Sequence, residues 1–496
     1  MTNLRSIFQN KFLIIGFIAV IFIRLLVNQL MGLMPQDAYY YFYSEHLALS
    51  YFDHPPMVAY MLKFFTVLFG KSVAIVKLTN FVVSIFAFAG FYYLSTFFLS
   101  KHKANRSLAF YGTTLLLTVI SINTTPDVPL VFFWTLSLIA IYKAIFENKI
   151  YYWILSGILI GLSFNSKYTA LFLLFGLLIF LIFSEKHRHF LFSKELLLTI
   201  IFFVITISPV FIWNIENDWI SFKFQSSERA STIARFQLNP KYFFGNLGTQ
   251  LMLLLPVLFS GIMFVFYKIV KKIFKKRALP DDKTIFLLSF SLPIIAFFFA
   301  VSTVYWVKLN WIMPAYITAI ILAGRYLSEK ILKYQIFVSL VFHVLLFIQI
   351  AFYPFNVTSD DTWYGWEELA AEVEILSEEH PENFIFSNDG YKTSAILNFY
   401  MDQDIYSGNI IGKNGLQFSI VHSDLSELEG KNALFIDSQK RFKNIEKSNQ
   451  IPTDLELYFD EIKELEPIII RNNKGKALRK FLVFECRNYQ VESNNQ

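Results

Sequence analysis

The chain of 496 residues has a single cysteine, Cys486, so neither an internal disulfide framework nor a cysteine-based metal site is open to it. Charge is scarce too: 17% of residues are charged against 55% hydrophobic, and mean hydropathy is +0.46. A soluble globular protein carries a larger charged fraction. The 8 histidines form no cluster of metal ligands. No Gly-rich phosphate loop is evident, which leaves a free nucleotide without its usual cradle. There is no internal repeat and no low-complexity linker. The formal net charge of +6 sits in connecting segments rather than in a basic binding surface, and nothing points to nucleic acid.

What fills the chain instead is long apolar runs, with 57 phenylalanines. A helix needs roughly 20 apolar residues to cross a bilayer, and hydropathy predicts about eleven such spans. They fall near 12–32, 73–98, 107–123, 128–146, 151–165, 168–184, 195–214, 246–269, 284–304, 311–325 and 334–352. The first run is longer than a signal-peptide core and no small-residue cleavage site follows it, so it reads as a retained helix. The chain is therefore expected to be a polytopic α-helical membrane protein. Basic connections recur at Lys101-His102-Lys103 with Arg106, Lys186 to Arg188, Lys271-Lys272 with Lys275 to Arg277, and Arg325 with Lys330 and Lys333. The positive-inside rule makes these cytoplasmic, and an eleven-span count puts all of them on one side with Arg5 and Lys11.

The other side then collects a different set. It receives Asp37 in Pro35-Gln36-Asp37-Ala38-Tyr39-Tyr40, Asp53 in Tyr51-Phe52-Asp53-His54-Pro55-Pro56, and Asp127 in Thr124-Thr125-Pro126-Asp127-Val128-Pro129. It also receives Lys167, the 214–243 loop with Trp219 and Arg229, and Lys308. Acids and isolated cations at a membrane boundary are costly and mark function. Residues 1–352 are expected to be the transmembrane domain. From 353 to 496 the pattern changes to mixed charge: an amphipathic helix at 366–379, short strands at 383–387 and 433–437, and a hairpin of 465–471 with 479–486 around Asn472 to Gly475. This reads as a small C-terminal extracytoplasmic α/β domain.

Each polar residue also has a plainer role. Asp37 and Asp127 are both placed to cap helices. Tyr39, Tyr40, Tyr41 and Tyr43 suit an interfacial aromatic belt. Asp53 to Pro56 forms a rigid turn, and one His beside one Asp is weak grounds for a metal. Lys167 and Lys308 would suit snorkelling at a helix end, but snorkelling lysines belong on the cytoplasmic face, where the chain keeps most of its charge.

Taken in order, these segments resemble the bacterial GT-C class membrane glycosyltransferases of the protein O-mannosyltransferase and aminoarabinose transferase superfamily. Asp37-Ala-Tyr-Tyr through Tyr51-Phe-Asp-His-Pro-Pro56 is similar to their first external loop, and Thr125-Pro-Asp-Val-Pro129 with Phe133-Trp134 to their second acidic motif. Ser166-Lys-Tyr-Thr169, Trp213-Asn214 to Trp219-Ile-Ser-Phe222 with Gln225 and Arg229, and Lys308-Leu-Asn-Trp311 with Pro314 look like the later ones. Gly365-Trp-Glu-Glu368 and Tyr391 to Tyr400 resemble the tail domain. Relatives commonly carry an Asp-Glu doublet before Ala-Tyr-Tyr; here it is Gln36-Asp37, so Asp127 or Asp53 stands beside Asp37 as a candidate to share its role.

The resemblance implies transfer of a sugar from a polyprenyl-phosphate donor to an extracytoplasmic acceptor, with inversion. Lipid A, a surface glycan and a protein are all open as the acceptor. It implies Asp37 and Asp127 as catalytic carboxylates, with Asp37 removing the acceptor proton. Lys167, Arg229 and Lys308 would meet the charge on the departing phosphate. Tyr39, Tyr40, Asp53, His54 and Trp219 would contact substrate. Metal dependence stays open: the sequence has no multi-histidine cluster, but carboxylates offer ligands to a divalent cation. The location implied is a bacterial inner membrane, among its lipids, with the active site and tail domain on the external face. The competing class is a transporter or flippase of a lipid-linked or anionic substrate. Such proteins usually show repeats and midplane charges, whereas here the ionisable residues gather at one face.

Overall fold

The computed structural model describes residues 11–226, 237–401, 403–448 and 450–491. They form two compact units. The first comprises Met1–Leu30, His54–Met61 and Lys77–Ala351; the second comprises Met31–Asp53, Leu62–Val76 and Phe352–Gln496. The segment that carries Asp37 and Asp53 thus belongs to the same unit as the C-terminal residues.

The first unit is helical. Its main elements are α1 (Lys11–Leu30), α4 (Val73–Thr96), α5 (Lys101–Gly112), α6 (Leu115–Ile122), α7 (Asp127–Glu147), α8 (Ile150–Phe164), α9 (Leu171–Phe183) and α10 (Lys194–Glu216). They continue with α11 (Pro240–Leu254), α12 (Pro256–Lys276), α13 (Asp282–Ser289), α14 (Leu292–Val301), α15 (Ala315–Gly324) and α16 (Glu329–Phe352). Two further helices, α2 (Pro35–Glu45) and α3 (Met57–Phe69), lie between α1 and α4. Among the described residues, 6 segments are long and apolar enough to cross a membrane by length and composition, or up to 7 if a bent pair counts as one span. The chain is a multi-pass membrane protein. Helices α1, α4, α10 and α16 keep large apolar side chains exposed, among them Phe22, Phe86, Ile205 and Leu345. In water such surface would be a liability; against lipid tails it is matched. Helix α7 is instead enclosed, with Leu130, Trp134, Leu138 and Ile141 in the core.

Close packing of α8 on α10 depends on two glycines. A Cβ on Gly157 would collide with the Thr199 carbonyl, and one on Gly161 with the Thr206 side chain. Small residues one turn apart let two membrane helices approach this closely. The contact is tied by Thr199 Oγ1 donating to the Trp153 carbonyl (2.8 Å) and Asn165 Nδ2 to that of Thr206 (2.9 Å).

Three expected spans are not single helices: 284–304 is α13 and α14, and the other two breaks have a visible cause. The run at 107–123 breaks into α5 and α6, because the hydroxyls of Thr113 and Thr114 bond back to the carbonyls of Ala109 (2.8 Å) and Tyr111 (2.7 Å) and compete with the helix ladder. The run at 246–269 is α11 and α12, bent by 109°. Leu255 takes φ +65° there and Pro256 follows, which removes a helical N–H. Gln335 repairs the gap, accepting the Leu258 N–H (3.1 Å) and donating to the Leu254 carbonyl (3.1 Å).

The second unit holds α2, α17 (Trp366–Glu379), β1 (Phe384–Phe386), α18 (Lys392–Tyr400), β2 (Ile405–Tyr406), α19 (Gln417–Val421), β3 (Ala433–Ser438), β4 (Phe459–Glu464), β5 (Ile468–Arg471) and β6 (Ala477–Tyr489). Helix α17, strands β1 and β3, and the β5–β6 hairpin lie where the pattern puts them. The sheet runs β2-β1-β3-β6-β4, with β5 also on β6. Strand β1 pairs parallel with β2 and β3, and β6 runs antiparallel to its neighbours. Phe386, Phe435, Phe459, Phe484 and the buried Cys486 form its core. Gly475 takes φ +76° in the hairpin turn, a conformation that favours glycine.

Candidate active site

Asp127 is the first residue of α7, so its carboxylate lies at the positive end of a helix dipole. Lys167 stands where α8 ends. Its own backbone is extended (φ −160°, ψ 137°), which turns the chain into the 3-10 turn Tyr168–Ala170. From that corner its Nζ donates to both Asp127 oxygens, at 2.9 and 3.0 Å. Asn310 Nδ2 completes the clamp, 2.6 Å from Oδ2. The lysine and aspartate side chains are 8% and 1% exposed. Asp127 therefore does not act as a simple cap, and Lys167 does not snorkel. Beside them Tyr168 shares a hydrogen bond with Ser221 (2.6 Å).

The second unit holds the other acidic centre. Asp37 is fully buried in the first turn of α2, where Oδ2 accepts the Met34 N–H (2.9 Å). The capping role is thus real, although it comes from the third helical position. Pro35 at the start of the helix fixes the entry φ. One turn on, Tyr43 donates to Asp53 Oδ1, and the Tyr39 hydroxyl lies 3.3 Å from the same oxygen and 3.2 Å from that of Tyr43. Tyr39 also accepts the Gln417 N–H (3.2 Å), while the Gln417 side chain accepts the Phe52 N–H (2.9 Å). Burial pushes both phenols well above the usual tyrosine range, and the Asp53 carboxylate pushes further in that direction. They stay protonated donors, which keeps Asp53 oriented. Tyr39 is 1% exposed, with its ring 4.3 Å from that of Tyr391, and Tyr40 is 6% exposed. Neither presents an open face for a sugar to stack on.

Residues 53–213, which span Asp53, Asp127 and Lys167, match the family model of dolichyl-phosphate-mannose-protein mannosyltransferase. The chain also superposes on ArnT from Cupriavidus metallidurans at 14% identity, with a TM-score of 0.59 for its apo state. For the same protein bound to undecaprenyl phosphate the identity is 14% and the TM-score 0.61. In both cases 95% of this chain and 97% of that one are covered. The chain has the GT-C fold. No curated protein matches it significantly. The resemblance read from the ordered motifs, which is to GT-C membrane glycosyltransferases, agrees with both findings.

The remaining candidates of this GT-C protein stand on separate segments of the chain. Lys308 is exposed in the irregular stretch between α14 and α15. Arg229 lies outside the described residues. His54 is half-buried at the start of the Pro55-Pro56 turn. Trp219 is 42% exposed, with φ +59° following φ +52° at Asp218, and is the aromatic candidate with an accessible ring. Among the described residues no three His, Cys, Asp or Glu side chains come together to hold a metal ion, so no step is built on one. Three residues assigned no site role from sequence belong to these centres: Asn310, Tyr43 and Gln417. Asn310 had a signal, standing two residues past Lys308 in the same motif. Gln417 had none.

Proposed function

We propose that this GT-C protein is a glycosyltransferase that takes a sugar from a polyprenyl-phosphate donor and passes it to a hydroxyl or amine of an acceptor. The observation that carries the reading is the buried Asp127–Lys167 pair inside the stretch matching the mannosyltransferase model. Packing alone would be served as well or better by apolar residues, so a charge pair held there is retained for chemistry. The undecaprenyl phosphate bound by ArnT supports a lipid-linked donor of that class. The apolar segments and the basic connections between them support an inner-membrane enzyme. On that topology the acids and residues 353–496 face outward, and residues 1–352 form the transmembrane domain.

In this reading Asp37 orients the acceptor and removes its proton, with its Oδ2 anchored by the Met34 N–H. The sugar is displaced with inversion through an oxocarbenium-like centre. The phosphate that leaves gains negative charge, which Arg229 and Lys308 meet. Lys167 shares its charge between the phosphate and Asp127. Asp53, His54 and Trp219 shape the substrate-binding surface, with Trp219 offering its ring to a sugar face, while the buried Tyr39 acts through Asp53 and Tyr40 packs beside it. Lipid A, a surface glycan or a secreted protein serves as acceptor.

The test is Asp37→Asn, assayed in native membranes supplied with labelled polyprenyl-phosphate hexoses and pentoses. Loss of the base should lower transfer by about 100-fold or more. Transfer at the wild-type rate would remove Asp37 from the role of base. Lipid movement without any sugar transfer by the wild-type protein would favour a transporter.

A further inference from the structure

Helix α6 is only 8 residues long, and five residues after it ends the chain reaches Asp127. Its last carbonyls have no partner within the helix, yet they are all engaged. Asn28 Nδ2 on α1 donates to Ser121 O (2.9 Å), Lys77 Nζ on α4 to Ile122 O (2.8 Å), and Ser84 Oγ to Ile120 O (3.3 Å). Asn80 Nδ2 then holds the Thr124 hydroxyl at 2.7 Å, three residues before Asp127. The other end is gripped as well: Arg24 Nη2 donates to Gly112 O (2.7 Å) and its Nε to Thr118 Oγ1 (3.0 Å). Lys77, Asn80 and Ser84 stand three and four residues apart on one face of α4, and Arg24 and Asn28 four apart on α1. All five are buried, Lys77 to 2% exposure.

Two buried cations in membrane-spanning helices are expensive. A lysine at the negative end of a helix is stabilising there. We infer that Lys77, together with Asn80 and Asn28, is a positioning residue for Asp127: it fixes the exit of α6 and so the place where the Asp127 carboxylate meets Lys167 and Asn310. The inference rests on Asp127 acting in sugar transfer. A displacement of about 1 Å at a reacting group costs on the order of 100-fold in rate, which gives a device of this kind its value.

The experiment uses the full-length protein in lipid nanodiscs, assayed for transfer from the active polyprenyl-phosphate sugar. Binding of undecaprenyl phosphate is measured alongside. Lys77→Met should lower kcat by about 10- to 100-fold, leave KM for the donor and undecaprenyl phosphate binding within about twofold, and recover most of its rate as Lys77→Arg. Wild-type kcat in Lys77→Met, an equal loss of binding and rate, or no recovery with arginine would overturn the inference. Should Lys77→Met fail to accumulate folded, Asn80→Ala carries the test, with lowered kcat at unchanged KM expected and unchanged kcat refuting. Asp127→Asn in the same assay separates the two levels. If it transfers normally, the functional reading of Asp127 fails; if it is inactive while Lys77→Met is not slowed, only the positioning role fails.

Discussion

Replacing Lys167 by Met while keeping Asp127 isolates the energetics of the central ion pair. Both side chains are nearly inaccessible, at 8% and 1% exposure, so water cannot compensate the carboxylate left behind. Breaking a buried pair by removing one partner costs about 3–5 kcal/mol. Asn310 still donates to Oδ2, and a hydrogen bond to a charged group contributes about 1.5–3 kcal/mol, which places the expected loss near the lower end, about 3 kcal/mol. Asp127→Asn alone leaves the lysine buried and should cost a similar amount. The double variant Asp127→Asn with Lys167→Met removes both charges and should return to within about 1–2 kcal/mol of wild type, because an apolar substitute for a whole pair is close to neutral. Four proteins unfolded by denaturant in detergent close the cycle, with a coupling on the order of 4–5 kcal/mol expected from these losses. Effects that add within about 0.5 kcal/mol would refute the pair as an energetic unit. The double variant also separates folding from transfer: it should be stable and inactive.

Two helical glycines, one in the contact of α8 with α10 and one outside it, should respond in opposite ways. Gly157→Ala forces a Cβ into the Thr199 carbonyl, which is backbone and cannot swing aside, so a loss of about 1–3 kcal/mol should lower the melting temperature. Gly248→Ala in α11 meets nothing within 4 Å and should gain up to about 1 kcal/mol from helix propensity; the reverse order of melting temperatures would count against this packing. In the C-terminal sheet, burial pushes the Asp437 carboxyl up to about 7, with the carboxylates of Asp389 and Asp360 acting in the same direction. Its pKa when unfolded is about 4, so its stabilising contribution is complete below that pH and is lost as pH rises through about 7. Asp437→Asn should therefore flatten the decline in melting temperature between about pH 4 and pH 7, and an unaltered pH profile would show that the carboxyl titrates normally.

Hydropathy located the membrane helices because a span must be apolar whatever its neighbours do, and α1, α4, α7, α10 and α16 lie close to the expected limits. Window averages could not see breaks. Thr113-Thr114 and Leu255-Pro256 barely lower the mean hydropathy, yet two hydroxyl back-bonds and one missing N–H divide what reads as continuous helix. In the tail, period and turn chemistry located α17, β1, β3 and the hairpin. The company that the α2 segment keeps was hidden: Gln417 reaches Tyr39 and Phe52 across more than 360 residues of sequence, and no local pattern encodes such a contact.

The acids and cations were legible as an inventory; their pairing was not, and pairing changes what each can do. Counted one by one, Lys167 is a cation available to a phosphate and Asp127 a carboxylate available to a proton. Held at 2.9 Å, they neutralise each other first, and either can act only as far as the other releases it. The same holds for Asp53, whose oxygen is occupied by tyrosines that burial keeps protonated. Asp37 is held by its own turn as well, Oδ2 accepting the Met34 N–H at 2.9 Å. Each carboxylate is thus fixed before a substrate arrives, and its use as a base depends on what its partners release when the acceptor binds.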